Sequence, residues 1–367
     1  MVSTGWKVLN ISRRFKLIMN KWFTTATVVI LAFAVSTASI AAKTKPKPPV
    51  KKPVATTTEQ PHYVKGTTQL SGENAQLNTT YTLGKAEPFN ITLKSAEYSV
   101  EPILIGDVLH TVTKDEKFLV LHMIYHNPQN KEVYIRWDSF GFTVVDSKDQ
   151  NWDGIIDLGA EGESSSVAMN FKPAQKKDVF AAIKVPSNSE MPKLIIKSND
   201  QQVLRYDLRG KVKGLPVLYA DPADKTGATA LPQITCANDI AYPIGAFSFK
   251  LNKIEFSTKA KMGDTELGEG EKFCLVNFTL KNLAPGKTYF RWDTLSRKLV
   301  DTDGVEAGEC NDVFPASKDK TYEADMLPGQ EITLRYLFKI PADSTLKSFT
   351  NTAESFRTLI YDIQARH

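Results

Sequence analysis

The sequence predicts an all-β protein: two tandem immunoglobulin-like β-sandwich domains after an N-terminal signal or anchor helix and a disordered tether. Three observations carry this reading. A thirty-residue segment, 117–146, recurs without a gap at 272–301. Within both segments apolar residues alternate with period two, the repeat of a half-buried strand. Turn residues then punctuate the chain at short intervals, with no long amphipathic helical stretch between them.

The N-terminal elements come first. At 367 residues the chain suits two domains plus tails. Residues 19–42 combine a basic start, an apolar run from Phe23 to Val35, and small residues at Ser39, Ala41 and Ala42, the pattern of an exported signal. Residues 1–42 are therefore read as a signal peptide or as an uncleaved anchor, with Met1 or Met19 as the start. Under either reading the basic residues hold that end in the cytoplasm and send the rest outward. Residues 43–80, rich in Lys, Pro and Thr, are expected to form an extended, disordered tether.

Net charge sharpens the compartment. The formal charge is +5, from 46 basic and 41 acidic residues. Ten of the cations and none of the anions fall in residues 1–53, which leaves 36 cations against 41 anions beyond them. The folded part is thus mildly acidic, and nucleic acid is an unsuitable partner for it. Contact with a membrane is expected only through the N-terminal segment.

The repeat sets the domain plan: domain 1 at 81–210, a linker at 211–233 rich in Gly and Pro, and domain 2 at 234–367. Lys117, Phe118, Asn127, Tyr134, Arg136, Trp137, Asp138, Val145 and Asp146 are identical to the residues 155 positions later. Leu119, Leu121, Met123 and Tyr125 should share a core face, as should Cys274, Val276, Phe278 and Leu280. Further strands are expected at 91–98, 133–145, 178–185, 192–197 and 203–207. Their equivalents lie at 249–256, 288–300, 331–340, 346–350 and 357–363, giving about seven per domain, as in immunoglobulin-like sandwiches.

A family likeness rests on specific residues. Lys117-Phe118 leads through alternating apolar positions to Asn127, and Lys272-Phe273 does so to Asn282. Each is followed by an acidic turn (Val145-Asp146-Ser147-Lys148-Asp149; Val300-Asp301-Thr302-Asp303-Gly304). Later come Pro173-x-Gln175 and Pro328-x-Gln330 before strands ending Lys184-Val185-Pro186 and Lys339-Ile340-Pro341. This pattern resembles the telokin-like domains of unknown function found in secreted bacterial proteins, similar in fold to a mycobacterial immunoprotective extracellular antigen. The resemblance covers 85–210 and 243–365, implies an extracellular sandwich without an established activity, and does not include the Arg-Trp-Asp triplet.

Candidate sites are few. Asp149, Asn151, Asp153 and Asp157, with Gly154 at the sixth position, follow the spacing of a calcium loop, in which oxygen donors converge from alternate residues. The twelfth position is Ala160, and the alternative is a plain acidic hairpin turn. Cys236 and Cys310 occur only in domain 2 and are candidates for a disulfide in an oxidising compartment, with Cys274 a core residue. Arg136-Trp137-Asp138 and Arg291-Trp292-Asp293 are read as a structural repeat motif in which Trp enters the core and Arg and Asp pair on the opposite face; the alternative is a binding surface, since Trp and Arg are favoured at interfaces. His122 and His126 stand about 13 Å apart along a strand, too far to share a metal.

No nucleophile elbow, phosphate loop or paired-ligand metal motif is present, so no catalytic residue and no cofactor other than calcium is expected. The leading expectation is a secreted or surface-held module that binds an envelope or extracellular protein, peptide or glycan through loops or an exposed sheet edge. The alternatives are a structural spacer and a calcium-stabilised adhesion-type surface protein.

Overall fold

The computed structural model describes residues 65–69 and 72–363; the expected signal or anchor lies outside them. Every regular element among the described residues is a strand, and no helix there is long and apolar enough to cross a membrane. Sandwich 1 begins with β1 (Thr80–Leu83), β2 (Phe89–Ser99), a hairpin of β3 (Ile103–Ile105) and β4 (Val108–His110), and β5 (Glu116–His126). It continues with β6 (Val133–Ile135), β7 (Phe140–Val145), β8 (Asn151–Asp153), β9 (Leu158–Ala160) and β10 (Met169–Phe171). The last four are β11 (Lys176–Pro186), β12 (Lys193–Ser198), β13 (Val203–Asp207) and the connector strand β14 (Val212–Lys213).

Sandwich 2 repeats the plan. It opens with β15 (Gln233–Cys236), β16 (Tyr242–Ile244), β17 (Phe247–Ser257) and a hairpin of β18 (Lys261–Met262) and β19 (Thr265–Glu266). Then follow β20 (Glu271–Asn282), β21 (Thr288–Phe290), β22 (Ser296–Asp301), β23 (Glu309–Pro315) and β24 (Ala324–Met326). β25 (Glu331–Pro341), β26 (Leu346–Thr352) and β27 (Thr358–Asp362) complete it. In sandwich 1 a sheet ordered β1-β2-β5-β11-β9 faces one ordered β13-β12-β7-β8; in sandwich 2, β16-β17-β20-β25-β23 faces β15-β27-β26-β22.

The period-two pattern buries as expected. Leu119, Leu121, Met123 and Tyr125 are at most 1% exposed, and Cys274, Val276, Phe278 and Leu280 are fully buried. Aromatic rings join the facing sheets, because each large ring removes much apolar surface from water and favours edge or offset contacts with others. Phe89 and Tyr125 meet Phe140 at 5.9 and 5.7 Å. Phe249 stacks on Phe278 at 4.8 Å, which stacks on Tyr336 at 4.4 Å, and Phe349 closes the group from the opposite sheet.

The two sandwiches share local irregularities as well. The pairing of β2 with β5 slips between Leu93 and Ser95, and that of β17 with β20 between Leu251 and Lys253. Asn127 and Asn282 are fully buried in equivalent turns. Asn127 Nδ2 donates to Lys131 and Phe171 carbonyls at 2.8 and 2.9 Å, and Asn282 Nδ2 to those of Gly286 and Met326 at 2.9 and 3.0 Å.

Two expectations are corrected, and the linker's packing is defined. The strand read over 133–145 is two strands, β6 and β7, and 288–300 likewise divides into β21 and β22, because a tight turn interrupts each. The expected tether ends early: Ala75 is buried and its N–H donates to the Arg205 carbonyl at 2.7 Å, while Gln69 exchanges two hydrogen bonds with the Arg205 backbone. The Gly/Pro-rich stretch 211–233 is packed. Leu215, Tyr219, Ala228 and Ala230 are buried in one apolar cluster that is continuous with both sandwich interiors.

Two buried cations secure this junction. Lys117 Nζ donates to the carbonyls of Ser187, Ser189 and the connector's Ala228, and lies 4.3 Å from the centre of the Tyr98 ring. Arg357, in the β26–β27 loop, reaches across to sandwich 1. It donates to the Thr113, Glu116 and Leu231 carbonyls at 2.9, 2.6 and 3.0 Å.

Burial pushes the Lys117 ammonium down to about 8 from 10.5. Between those values the unfolded chain holds a proton that the folded chain has released, so this group's contribution to stability rises with pH across that window and is flat below it. Tyr98 and the buried thiols of Cys236 and Cys274, pushed up to about 12 by burial, act in the opposite sense at high pH. The group is therefore isolated as the stability difference between the native chain and Lys117→Met. That difference should move in favour of the native chain by about 2 kcal/mol from pH 8 to pH 10 in urea unfolding; a difference that stays flat contradicts it.

Candidate functional site

The Arg-Trp-Asp triplets form the interrupting turns. Ser139 N–H donates to the Arg136 carbonyl at 3.1 Å, and Arg136 N–H donates back to the Ser139 hydroxyl at 3.0 Å. Thr294 and Arg291 make the same two bonds at 3.1 and 3.0 Å. The guanidinium Nε of Arg136 meets Asp138 at 2.5 Å, and that of Arg291 meets Asp293 at 2.5 Å. The expectation of a core Trp is thus overturned: Trp137 is 52% exposed and Trp292 45%. A four-residue turn places its second residue at the tip, whereas a continuous strand would have pointed it inward.

The neighbouring tyrosines are also outside, Tyr134 at 56% and Tyr289 at 50% exposure. Each sandwich therefore presents a Tyr and a Trp beside a fixed Arg–Asp pair. Trp292 is further steadied by Arg297, whose guanidinium lies 5.8 Å from the ring centre and donates to the Trp292 carbonyl. In sandwich 1 the turn borders a cleft of about 320 Å³, lined by Phe89, Tyr134, Ser139, Phe140, Asn199 and Asp200. The Asp200 carboxyl is held down to about 2 by hydrogen bonds from the Ser198 hydroxyl and the Lys85 N–H, so it is an anion at neutral pH. The cleft thus offers an apolar wall with an anionic and an amide group at its rim, the composition of a small-ligand subsite.

The calcium-loop residues are not brought together. Asp146 organises the turn instead, accepting from the N–H groups of Lys148 and Gln150 at 2.8 and 2.9 Å. Asp149 points to Lys193 at 2.7 Å, Asp153 accepts from the Thr143 hydroxyl, and Asp157 accepts from Leu158 N–H at 2.7 Å and Ser166 Oγ at 3.1 Å. Asn151 is exposed on β8 opposite Val145. The physical reason is that β7 and β8 pair as a hairpin here, so Asn151 and Asp153 lie spread along one face of an extended strand while Asp149 in the turn and Asp157 beyond it are drawn to other partners. No group of three His, Cys, Asp or Glu side chains suited to a metal ion occurs among the described residues.

The expected disulfide is not formed; Cys236, Cys274 and Cys310 are free. Cys236 lies on β15, one edge of its sheet, whereas Cys310 lies on β23 and accepts from Arg297 of β22, the other edge of that same sheet. Three strand spacings, about 14 Å, separate β15 from β22, far beyond disulfide reach. His122 is engaged by Glu161 at 2.6 Å and Glu97 at 3.5 Å, and His126 meets Asn90 at 3.0 Å. The exposed tyrosines and the Asn199–Asp200 rim were not foreseen as site residues. Tyr134 and Tyr289 were already visible among the matched repeat positions.

No family model matches the chain, and no curated protein matches it. Among solved structures, an uncharacterised β-sandwich protein from Clostridium difficile 630 aligns at a TM-score of 0.29 and 15% identity, covering 36% of this chain and 94% of that one. An exo-chitosanase from Amycolatopsis orientalis, in complexes with PNP-β-D-glucosamine, aligns at a TM-score of 0.18 and 14 or 15% identity. That alignment covers 66% of this chain and 25% of the enzyme, so the chain spans about a quarter of the enzyme's length. Likenesses this weak say nothing about ligand or chemistry.

Proposed function

We propose that this is an exported, non-catalytic binding protein of the cell envelope or its surroundings, built from two copies of one telokin-like domain, that holds a glycan through its paired aromatic turns. The observation that carries the reading is the exposure of Trp137 and Trp292 in turns whose other members are all used, beside Tyr134 on β6 and Tyr289 on β21, the latter with its hydroxyl donating to Glu323. Arg136, Asp138 and Ser139 hold the first turn, as Arg291, Asp293 and Thr294 hold the second, whereas the four rings lie half open to water. Rigid, amphipathic rings give large contact area at small entropic cost, and the C–H-rich face of a sugar ring matches them. The adjacent Arg–Asp pairs carry both donors and acceptors, which suits hydroxyls that do both. Shared bulges, buried asparagines and turns support descent from one duplicated unit.

The test is retention of the full chain on insoluble envelope polysaccharide. Trp137→Ala and Trp292→Ala should each weaken retention about tenfold, and the double variant about a hundredfold, since two weak sites on one chain act together. Melting temperatures should stay within about 2 °C of the native chain, because both rings are surface residues. Undiminished retention by the double variant overturns the site. Failure to retain any polysaccharide, with capture of peptides instead or of nothing at all, overturns the glycan reading in favour of peptide binding or of a spacer.

A further inference from the structure

His122 stands on the outer face of β5, because its neighbours Leu121 and Met123 are fully buried and side chains alternate along a strand. Ser95 of β2 lies directly opposite it, and Glu97 follows two places along that strand, on the same face. The ring is approached from both sides. Nδ1 meets a Glu161 carboxylate oxygen at 2.6 Å, and Nε2 faces Glu97 Oε1 at 3.5 Å. The three side chains are 26 to 32% exposed and border an open polar trough of about 670 Å³, which Lys94 and Asp178, paired at 3.3 Å, also line.

The two contacts differ in kind. A carboxylate only accepts, so the short contact places a proton on Nδ1 and, in the neutral ring, leaves the Nε2 lone pair aimed at a second acceptor. Two acceptors that face each other need a cation between them. A proton is one choice, but 3.5 Å is longer than an ordinary N–H···O bond. It is the separation of two ligands on one tetrahedral ion: an ion about 2.1 Å from each atom would see them at about 110°. Glu161 then stands where a carboxylate orients a metal-bound imidazole from its far side. Glu97 uses its other oxygen, Oε2, for Lys213 at 2.9 Å, so Oε1 keeps its lone pairs for the ion. Sandwich 2 has replaced the imidazole and the orienting carboxylate together. The residue matching His122 is Asn277, whose amide donates to Glu255 at 3.0 Å. The residue matching Glu161 is Ala316; their N–H groups donate to the equivalent carbonyls of Asp178 and Thr333.

We propose that His122 Nε2 and Glu97 Oε1 bind one divalent transition-metal ion of the zinc class, with Glu161 as the positioning residue and water in the remaining places. Imidazole beside carboxylate suits such an ion, whereas calcium and magnesium take oxygen ligands. Glu161 meets the opposite side of the ring and does not reach the same ion, so the site has two protein ligands and leaves coordination positions open to a group from another molecule. It shares no residue with the aromatic turns, so either assignment can fail without the other.

The test is calorimetric titration of the full, chelator-treated chain with zinc chloride, with and without excess calcium. One ion per chain is expected to bind through this site, undisplaced by calcium. His122→Asn should abolish that binding; asparagine is what sandwich 2 carries at this place, so the variant should fold. Glu97→Gln should abolish it as well, whereas Glu161→Gln should weaken it about tenfold at unchanged stoichiometry. Cobalt(II) in place of zinc should give the visible absorption of a four-coordinate ion, and His122→Asn should remove it. Zinc binding that is the same in the native chain and His122→Asn, that ignores Glu97→Gln, or that calcium displaces overturns the proposal. One ion per two chains overturns it in favour of a site shared between copies.

Discussion

Arg357→Ala should lower the stability of the chain by about 3 kcal/mol and split its thermal unfolding into two transitions. The side chain is 7% exposed and supplies donors to three carbonyls from three places: Thr113 and Glu116 of sandwich 1, and Leu231 of the connector. Removing it takes a charged donor from three part-buried carbonyls, of which Thr113 retains the Glu116 N–H at 3.1 Å, at a cost of about 1 kcal/mol each, and opens a void at the junction. The native chain should melt as one unit, because the buried cluster runs without a break from one sandwich through the connector to the other. Arg357→Lys should recover only part of the loss, since a single ammonium lacks the planar fork that serves three divergent acceptors. Calorimetry decides: an unchanged melting temperature with a single peak removes Arg357 as the link.

Asn127→Ala and Asn282→Ala should each destabilise by about 3 kcal/mol, and by similar amounts. Each amide closes a loop from inside. Asn127 Oδ1 accepts from Gln129 N–H at 2.9 Å while Nδ2 serves Lys131 and Phe171; Asn282 Oδ1 accepts from Ala284 N–H at 2.9 Å while Nδ2 serves Gly286 and Met326. Alanine strands a part-buried N–H and removes the donor from one buried and one part-buried carbonyl in each case. Aspartate should be worse than alanine at both sites, because a buried carboxylate cannot donate to carbonyls and carries a charge into an apolar setting. Urea unfolding that shows a loss below about 1 kcal/mol for either alanine variant contradicts this account.

The contrast between Asn127 and Trp137 shows where sequence reading stopped. Both belong to the matched positions, and matching alone does not say whether a residue is kept inside or outside. Asn127 is fully buried, whereas Trp137 is half exposed. The apolar positions change phase here, from Val133 and Ile135 to Phe140, Phe142 and Val144, and reading 133–145 as one strand passes over that shift. The break is made by a hydroxyl, Ser139 in sandwich 1 and Thr294 in sandwich 2, closing a turn on the backbone. A serine or threonine at that place reads equally well as a strand residue.

The packing of the connector is a related case. Gly214 and Gly227 look like flexible joints, yet the two backbones pass so closely that a Cβ on Gly214 would lie 3.1 Å from the Gly227 Cα. Here glycine serves close approach, a purpose that sequence does not distinguish from freedom. Spacing likewise proposed a calcium loop at Asp149, Asn151, Asp153 and Asp157 and a bridge between Cys236 and Cys310. Spacing states which residues come near in order, while strand pairing fixes the direction in which they point and the sheet edge on which they land.

The sequence by itself determined that the described part of this chain is all-β, that its interiors are filled by alternate positions such as Leu119, Leu121, Phe278 and Leu280, and that the segment 117–146 recurs at 272–301. Those properties are local: a period of two follows from the pleat, and it survives whatever the strand pairs with. Only the tertiary structure decided that Lys117 and Arg357 are buried cations at a packed junction, and that four aromatic rings are left half exposed. Those properties depend on which distant segments meet, because a side chain's burial and partners are set by the neighbours that folding brings to it.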